Sequence, residues 1–145
     1  MMIIHTLGTS NRDFEEFLRI LKSFKMELVV DVRRFPTSRF EHFKKENLEE
    51  NLKREGIGYV YLGDLLGGFR EGGYDRYMES EDFRRGFNKL LELAEKRRIA
   101  LICRERFPWK CHRWFISNKL MEKGYKVIHI LDEKRTYPHK VLGNR

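Results

Sequence analysis

Three consecutive residues, Cys111, His112 and Arg113, bring a thiol, an imidazole and a guanidinium to one point of the chain. Helical spacing begins there. A helix dipole and nearby cations lower a thiol's pKa and raise its thiolate fraction. Free amides at the helix start, with Arg113, suit a phosphate or oxyanion. On this pattern Cys111 is a candidate nucleophile or redox thiol, His112 and Glu105 are candidate acid–base groups, and Arg113 is a candidate anion clamp. The plainer alternative makes Cys111 a small buried residue and Arg113 a surface charge. The Cys-x5-Arg spacing of a phosphatase loop is absent, because Ser117 and then Asn118 stand where its arginine would fall. Cys103, Cys111 and His112 lack the paired spacing of a zinc site, and no metal is assigned to them.

A second group lies at Asp31 and Arg33. Asp31 interrupts the apolar run ELVVDVR. Residues two apart in a strand share a face, and a buried carboxylate needs a cationic or donor partner. The pair is either a structural ion pair or a carboxylate that orients a base or holds Arg33 against an anion. Thr9, Ser10, Asn11, Ser38, Gly67, Gly68 and Cys103 are further binding candidates. The loop from Gly67 to Tyr74 matches neither the P-loop nor the dinucleotide fingerprint. Trp109, Trp114, Phe115, Tyr74 and Tyr77 interleave with arginines and could stack on bases, although such aromatics are more often core.

The elements that must position these residues alternate in type. Apolar, β-branched runs at 2–7, 27–33, 59–62, 99–103 and 126–131 read as strands, near-continuous as buried parallel strands are. Phe14, Phe17, Leu18, Leu21 and Phe24 recur at helical spacing within 13–25. Residues 44–55 form a charged helix, 80–97 a long one facing inward through Phe83, Phe87, Leu90, Leu91 and Ala94, and 110–123 one ended by Gly124. Seven of the 11 glycines fall between positions 56 and 73. The expected fold is a single three-layer α/β domain over 1–131, with a mainly parallel five-stranded sheet flanked by helices, Rossmann-like or flavodoxin-like. Residues 132–145 read as a polar C-terminal tail. In such sheets ligands bind beyond the carboxyl ends of the strands. That rule gathers all the candidate residues on one edge.

The chain has 145 residues, 41% hydrophobic and 36% charged, with 30 Lys/Arg against 22 Asp/Glu. One core of ordinary size fits this composition. The charge is uneven. Residues 1–96 carry 17 Lys/Arg and 18 Asp/Glu, and residues 97–145 carry 13 and 4. A basic last third suggests an anionic small molecule or nucleic acid as partner; the bland alternative is a solvated basic surface. No apolar run reaches the roughly 20 residues of a membrane span. The N-terminal segment lacks the features of a signal peptide, and two cysteines do not make a disulfide-rich scaffold. A cytoplasmic protein is the expectation.

The Thr-Leu-Gly-Thr-Ser-Asn start, Asp31-Val-Arg with Pro36, Ser38 and His42-Phe43, Leu66-Gly67-Gly68, and Cys103, Glu105, Pro108 and Cys111-His112-Arg113 together resemble the family called "domain of unknown function 488". The resemblance runs in family order from about Ile3 to Leu131. It implies an α/β sandwich of modest size, points to the same polar residues and supplies no reaction. Thr9 stands where members commonly carry His, and Arg104 where they often carry Ala. The first removes a possible base, and the second adds a cation.

Two functions stay open. One is an enzyme acting on a phosphate-bearing or nucleotide-like substrate through Cys111, Arg113, Asp31 and Arg33. The other is a nucleic-acid-binding module without catalysis that uses the basic last third. Neither names a cofactor or an oligomeric state.

Overall fold

The computed structural model of the chain describes residues 2–140. Its strands are β1 (Ile3–Gly8), β2 (Leu28–Asp31), β3 (Gly58–Tyr61), β4 (Ile99–Cys103), β5 (Lys126–Ile130) and β6 (Thr136–Pro138). The helices are α1 (Phe14–Ser23), α2 (Lys45–Arg54), the short α3 (Gly63–Leu66) and α4 (Tyr74–Tyr77), α5 (Glu81–Lys96) and α6 (Arg113–Glu122). One six-stranded sheet has the order β3-β2-β4-β1-β5-β6. Five strands run parallel, and β6 is antiparallel to β5. The fold is α/β, three-layered and Rossmann-like.

Alternation along the strands builds two cores. On one face Leu28, Val30, Ile99, Leu101 and Cys103 pack with Phe83, Phe87 and Leu90 of α5 and Ile116 and Leu120 of α6. On the other, Val29, Ala100 and Ile102 pack with Phe17, Ile20 and Leu21 of α1 and Leu48 and Leu52 of α2. Both α1 and α5 have side-chain N-caps. Asp13 accepts from the Glu16 amide at 2.7 Å and Ser80 from the Phe83 amide at 3.1 Å, each satisfying an otherwise orphaned donor.

The sheet has one strand more than the sequence reading expected. Asp132 Oδ1 accepts the amides of Lys134 and Arg135 at 2.8 and 2.9 Å, and the Leu131 amide donates to the Arg135 carbonyl at 2.9 Å. This turn folds part of the supposedly loose tail back as β6. The short run Thr-Tyr-Pro has no apolar alternation to announce it. Its pairing covers the open edge of β5.

A chain of polar side chains crosses this end of the sheet. His139 Nε2 lies 2.6 Å from Asn118 Oδ1, His129 Nε2 2.8 Å from His139 Nδ1, and Thr6 Oγ1 2.6 Å from His129 Nδ1. The Asn118 carbonyl can only accept, so the protons run one way, from Thr6 through His129 and His139 to Asn118. Trp114 stacks on His129 with centroids 5.7 Å apart.

The connections after β1 and β2 lead to helices on one face, and the connection after β4 leads to α6 on the other. Strand β4 lies between β1 and β2. Its carboxyl end is therefore a switch point with a crevice on each side, where ligands of open α/β sheets bind.

Candidate functional site

Two adjoining cavities occupy those crevices. One, of about 460 Å³, lies towards β2 and is lined by Arg33, Arg34, Phe35, Gly68, Phe69, Cys103, Arg104, Glu105, Lys110, Cys111 and His112. The other, of about 820 Å³, lies towards β1 and is lined by Ser10, Asn11, Thr37, Ser38, Arg39, Phe40 and Arg104 to Phe107, with Lys110. Arg104, Glu105 and Lys110 border both, so the two form one cleft over the end of β4.

The loop after β4 sits low because Gly8 ends β1. A Cβ there would stand 1.9 Å from the Glu105 carbonyl oxygen, and only glycine admits that approach. The Thr9 amide then donates to the Cys103 carbonyl at 2.8 Å, and the Ser10 amide to the Arg104 carbonyl at 2.8 Å. Arg12, fully buried, ties the same region together. Its Nε donates to the Gly8 carbonyl at 3.0 Å and its Nη2 to the Leu131 carbonyl at 2.7 Å, and its Nη1 pairs with Glu16 at 2.7 Å.

Cys103 and Cys111 are placed as a disulfide pair, their sulfurs in contact and their Cα atoms 7.5 Å apart, somewhat wider than a relaxed bridge spans. Cys103 is buried at the end of β4, whereas Cys111 is half-buried. The Arg113 amide, first in α6, points to Cys111 Sγ at 3.5 Å. His112 Nε2 lies 2.8 Å from the Val32 carbonyl. A carbonyl only accepts, so Nε2 carries the proton and Nδ1 presents its lone pair towards Cys111 Sγ, 3.7 Å away. Burial pulls His112 down to about 4, helped by Arg113 and Arg70 and opposed by the Val32 bond. The ring is neutral at pH 7. Gly68 faces it so closely that a Cβ would stand 3.0 Å from Nδ1.

Asp31 is fully buried and engaged on all sides. It accepts from Arg33 Nε at 2.9 Å, Arg33 Nη2 at 2.7 Å, the Arg33 amide at 3.1 Å and the Tyr59 hydroxyl at 2.5 Å. Arg33 Nη1 completes the set on the Phe43 carbonyl at 2.7 Å. Each member of the pair is thus satisfied by the other and by neighbouring groups. Arg33 borders the cavity as a neutralised partner. Tyr59 is held protonated by burial and by the Asp31 charge, which push its pKa upward.

Arg113 does not reach the cleft. It is completely buried, and its Nη2 donates to the Arg106 carbonyl at 3.0 Å; among the described residues Nε and Nη1 have no partner. Burial first, and the Arg12 charge second, bring it down to about 9, with Glu105 opposing. The sequence reading placed Arg113 as a clamp or a surface charge, and the structure makes it an internal support of the loop after β4. Thr9 and Gly67 also stand behind the surface.

The expected stacking aromatics divide the same way. Trp114 is buried, and the Tyr74 and Tyr77 hydroxyls donate to the Leu66 and Leu65 carbonyls, each at 2.7 Å, beside Phe83. Trp109 is exposed and stacks on Phe107 at 5.2 Å; Phe35 and Phe69, 54% and 80% exposed, form a second pair at 6.1 Å. Arg34, Lys110, Phe35 and Phe69 were not singled out from sequence. Arg34 follows Arg33 directly, and past a strand end the alternation that favoured Arg33 no longer tells which of two neighbours faces the crevice.

Among the described residues, no three His, Cys, Asp or Glu side chains are grouped to hold a metal ion, and no helix is long and apolar enough to cross a membrane.

The sequence pattern of the family described as "Domain of unknown function DUF488" matches residues 13–73 and 68–120. The chain belongs to this family. The match takes in Asp31, Arg33, Gly67, Gly68, Cys103, Glu105 and the Cys111-His112-Arg113 run, and thus nearly all the residues around the cleft. Comparison with curated proteins and with solved structures finds no match.

Proposed function

We propose that this protein is an enzyme that binds a phosphate-bearing, nucleotide-like ligand in the cleft over the end of β4. One observation carries the reading. Arg34, Arg39, Arg104, Arg106 and Lys110 line the two connected cavities, and Glu105 is the single carboxylate among the lining residues. Arginine forks and lysine ammonium groups match phosphate oxygens, and a cleft of one sign concentrates ligands of the other. The exposed Phe35–Phe69 pair suits the flat face of a base. In the reduced chain, Cys111 is the reacting group. The Cys111 thiol donates a hydrogen bond to His112 Nδ1, and the amide at the start of α6 stabilises the thiolate once it forms.

A second reading rests on the second aromatic pair. Phe107 lines the larger cavity and Trp109 stacks on it, as successive platforms for a single nucleic-acid strand would. That reading needs no chemistry at Cys111.

A thermal-shift screen of reduced protein with inorganic phosphate, nucleotides and short oligonucleotides tests both. A ligand at 100 times its Kd stabilises by about 2.7 kcal/mol, a shift of several degrees for a domain of this size. The account expects that shift with a mononucleotide and its loss in Arg104→Ala/Lys110→Ala, whose side chains are exposed. Shifts with oligonucleotides alone, falling steeply with salt, favour the strand-binding reading. No shift with any of these probes overturns both.

A further inference from the structure

The cleft contains a bond that the nucleotide-binding reading does not use. We propose that Cys103 and Cys111 form a redox-active pair that exchanges reversibly with small anionic thiols entering the cleft. Three observations carry this. The two sulfurs are in contact as a pair, and both residues border the 460 Å³ cavity. The partners are unequal: Cys103 is 1% exposed at a strand end, whereas Cys111 is half-buried at a helix start. Groups suited to the two states of a freed Cys111 surround it: the Arg113 amide at 3.5 Å donates to a departing thiolate, and His112 Nδ1 at 3.7 Å accepts from the protonated thiol. A disulfide used only as a staple has no need of an open cavity, a neutral base or a helix start beside one sulfur.

Exchange begins with attack of the incoming thiolate R–S⁻ on Cys111 Sγ. The new S–S bond forms as the Cys111–Cys103 bond breaks, and its electron pair leaves with Cys103 as thiolate, which takes a proton from solvent. A second R–S⁻ attacks the R sulfur of the mixed disulfide and releases Cys111 as thiolate. His112 Nδ1 stands ready to accept a hydrogen bond once that sulfur is protonated. The net change is two R–SH and the protein disulfide giving R–S–S–R and two cysteine thiols. The reverse uses R–S–S–R as oxidant. Arg34, Arg104 and Lys110 at the mouth select for thiols carrying carboxylates or phosphate. That selectivity rests on the anionic-ligand reading above; the exchange itself rests on the sulfurs.

The test follows thiol content of the full chain by alkylation and intact mass, after equilibration with reduced and oxidised glutathione, a dicarboxylate thiol, or with cysteamine and cystamine, the cationic counterpart. The wild type is expected to move between disulfide and dithiol as the reduced-to-oxidised ratio is varied. Cys103→Ala is expected to trap a mixed disulfide on Cys111. Glutathione is expected to react about tenfold faster than cysteamine, the low end of electrostatic rate enhancement, with the preference lost in Arg104→Ala/Lys110→Ala. Thiols that stay alkylatable at every ratio, or a disulfide that no ratio opens in folded protein, overturn the proposal. The wild-type titration decides this even where Cys103→Ala fails to fold. Exchange without charge preference keeps the redox pair and overturns the anionic cleft. Nucleotide binding without exchange does the opposite.

Discussion

At the scale of single residues, burial sets the behaviour of the polar groups. Asp31 and Arg33 exchange two side-chain hydrogen bonds with almost no solvent exposure. Removing one charge strands the other. Asp31→Asn is expected to cost about 3–5 kcal/mol, and Asp31→Leu with Arg33→Met to recover most of it, because a buried pair contributes little beyond a well-packed apolar one. Urea unfolding measures both; a mild effect of Asp31→Asn would show that the pair is not structural. His112, His129 and His139 are held neutral, with pKa lowered by burial to about 4, 3 and 4. In the unfolded chain they titrate near 6.5. Between those values the unfolded state binds more protons, so stability is complete above pH 6.5 and falls as pH drops towards 4. The melting temperature is expected to decline across that window, and His129→Gln to make the decline shallower. An unchanged slope in the variant would contradict the one-way chain from Thr6 to Asn118.

At the scale of elements, short-range signals and long-range pairing separate cleanly. Ser80 caps α5 and lines neither cavity, so Ser80→Ala is expected to cost about 1 kcal/mol and to leave ligand binding intact. Gly8 is the opposite case. Gly8→Ala drives a methyl into the Glu105 carbonyl, and the expected result is a loss of about 1–3 kcal/mol together with weaker nucleotide binding, because Arg104 rides on that loop. Calorimetric melting with and without nucleotide separates the two variants; equal binding in both would place the ligand away from the loop after β4. Five strands and the four longer helices were legible in the sequence because each is a self-contained pattern, as IALIC at 99–103 illustrates. β6 was not, since its three residues gain their place only from the Asp132 turn and the free edge of β5. Strand order was not legible either, being fixed by which faces meet in space.

At the scale of the whole molecule, the strand-end rule led to the region where the structure has its cleft and left the partners within it undecided. It gathered Cys103, Glu105, Cys111 and His112, which line one cavity, since each follows a strand or opens a helix. It could not tell that Arg113 turns inward while Arg34 and Lys110 turn outward, because orientation depends on where the loop after β4 settles against Gly8. Nor could it pair Cys103 with Cys111, which are joined across a strand end and a helix start. Three cations of the basic last third, Arg104, Arg106 and Lys110, line the cleft. Mononucleotide affinity is therefore expected to fall as salt rises, moderately rather than steeply, because few phosphates are engaged. A salt series of binding isotherms checks this, and an affinity indifferent to salt would contradict it.

The most direct test is a two-dimensional amide NMR titration of the reduced, isotopically labelled chain with a nucleoside diphosphate. The account predicts saturable shifts at Gly68, Phe69 and the amides from Arg104 to His112, with the charged helix α2 unmoved. Shifts confined to other surfaces, or none at millimolar ligand, would contradict the cleft over β4 as the binding site.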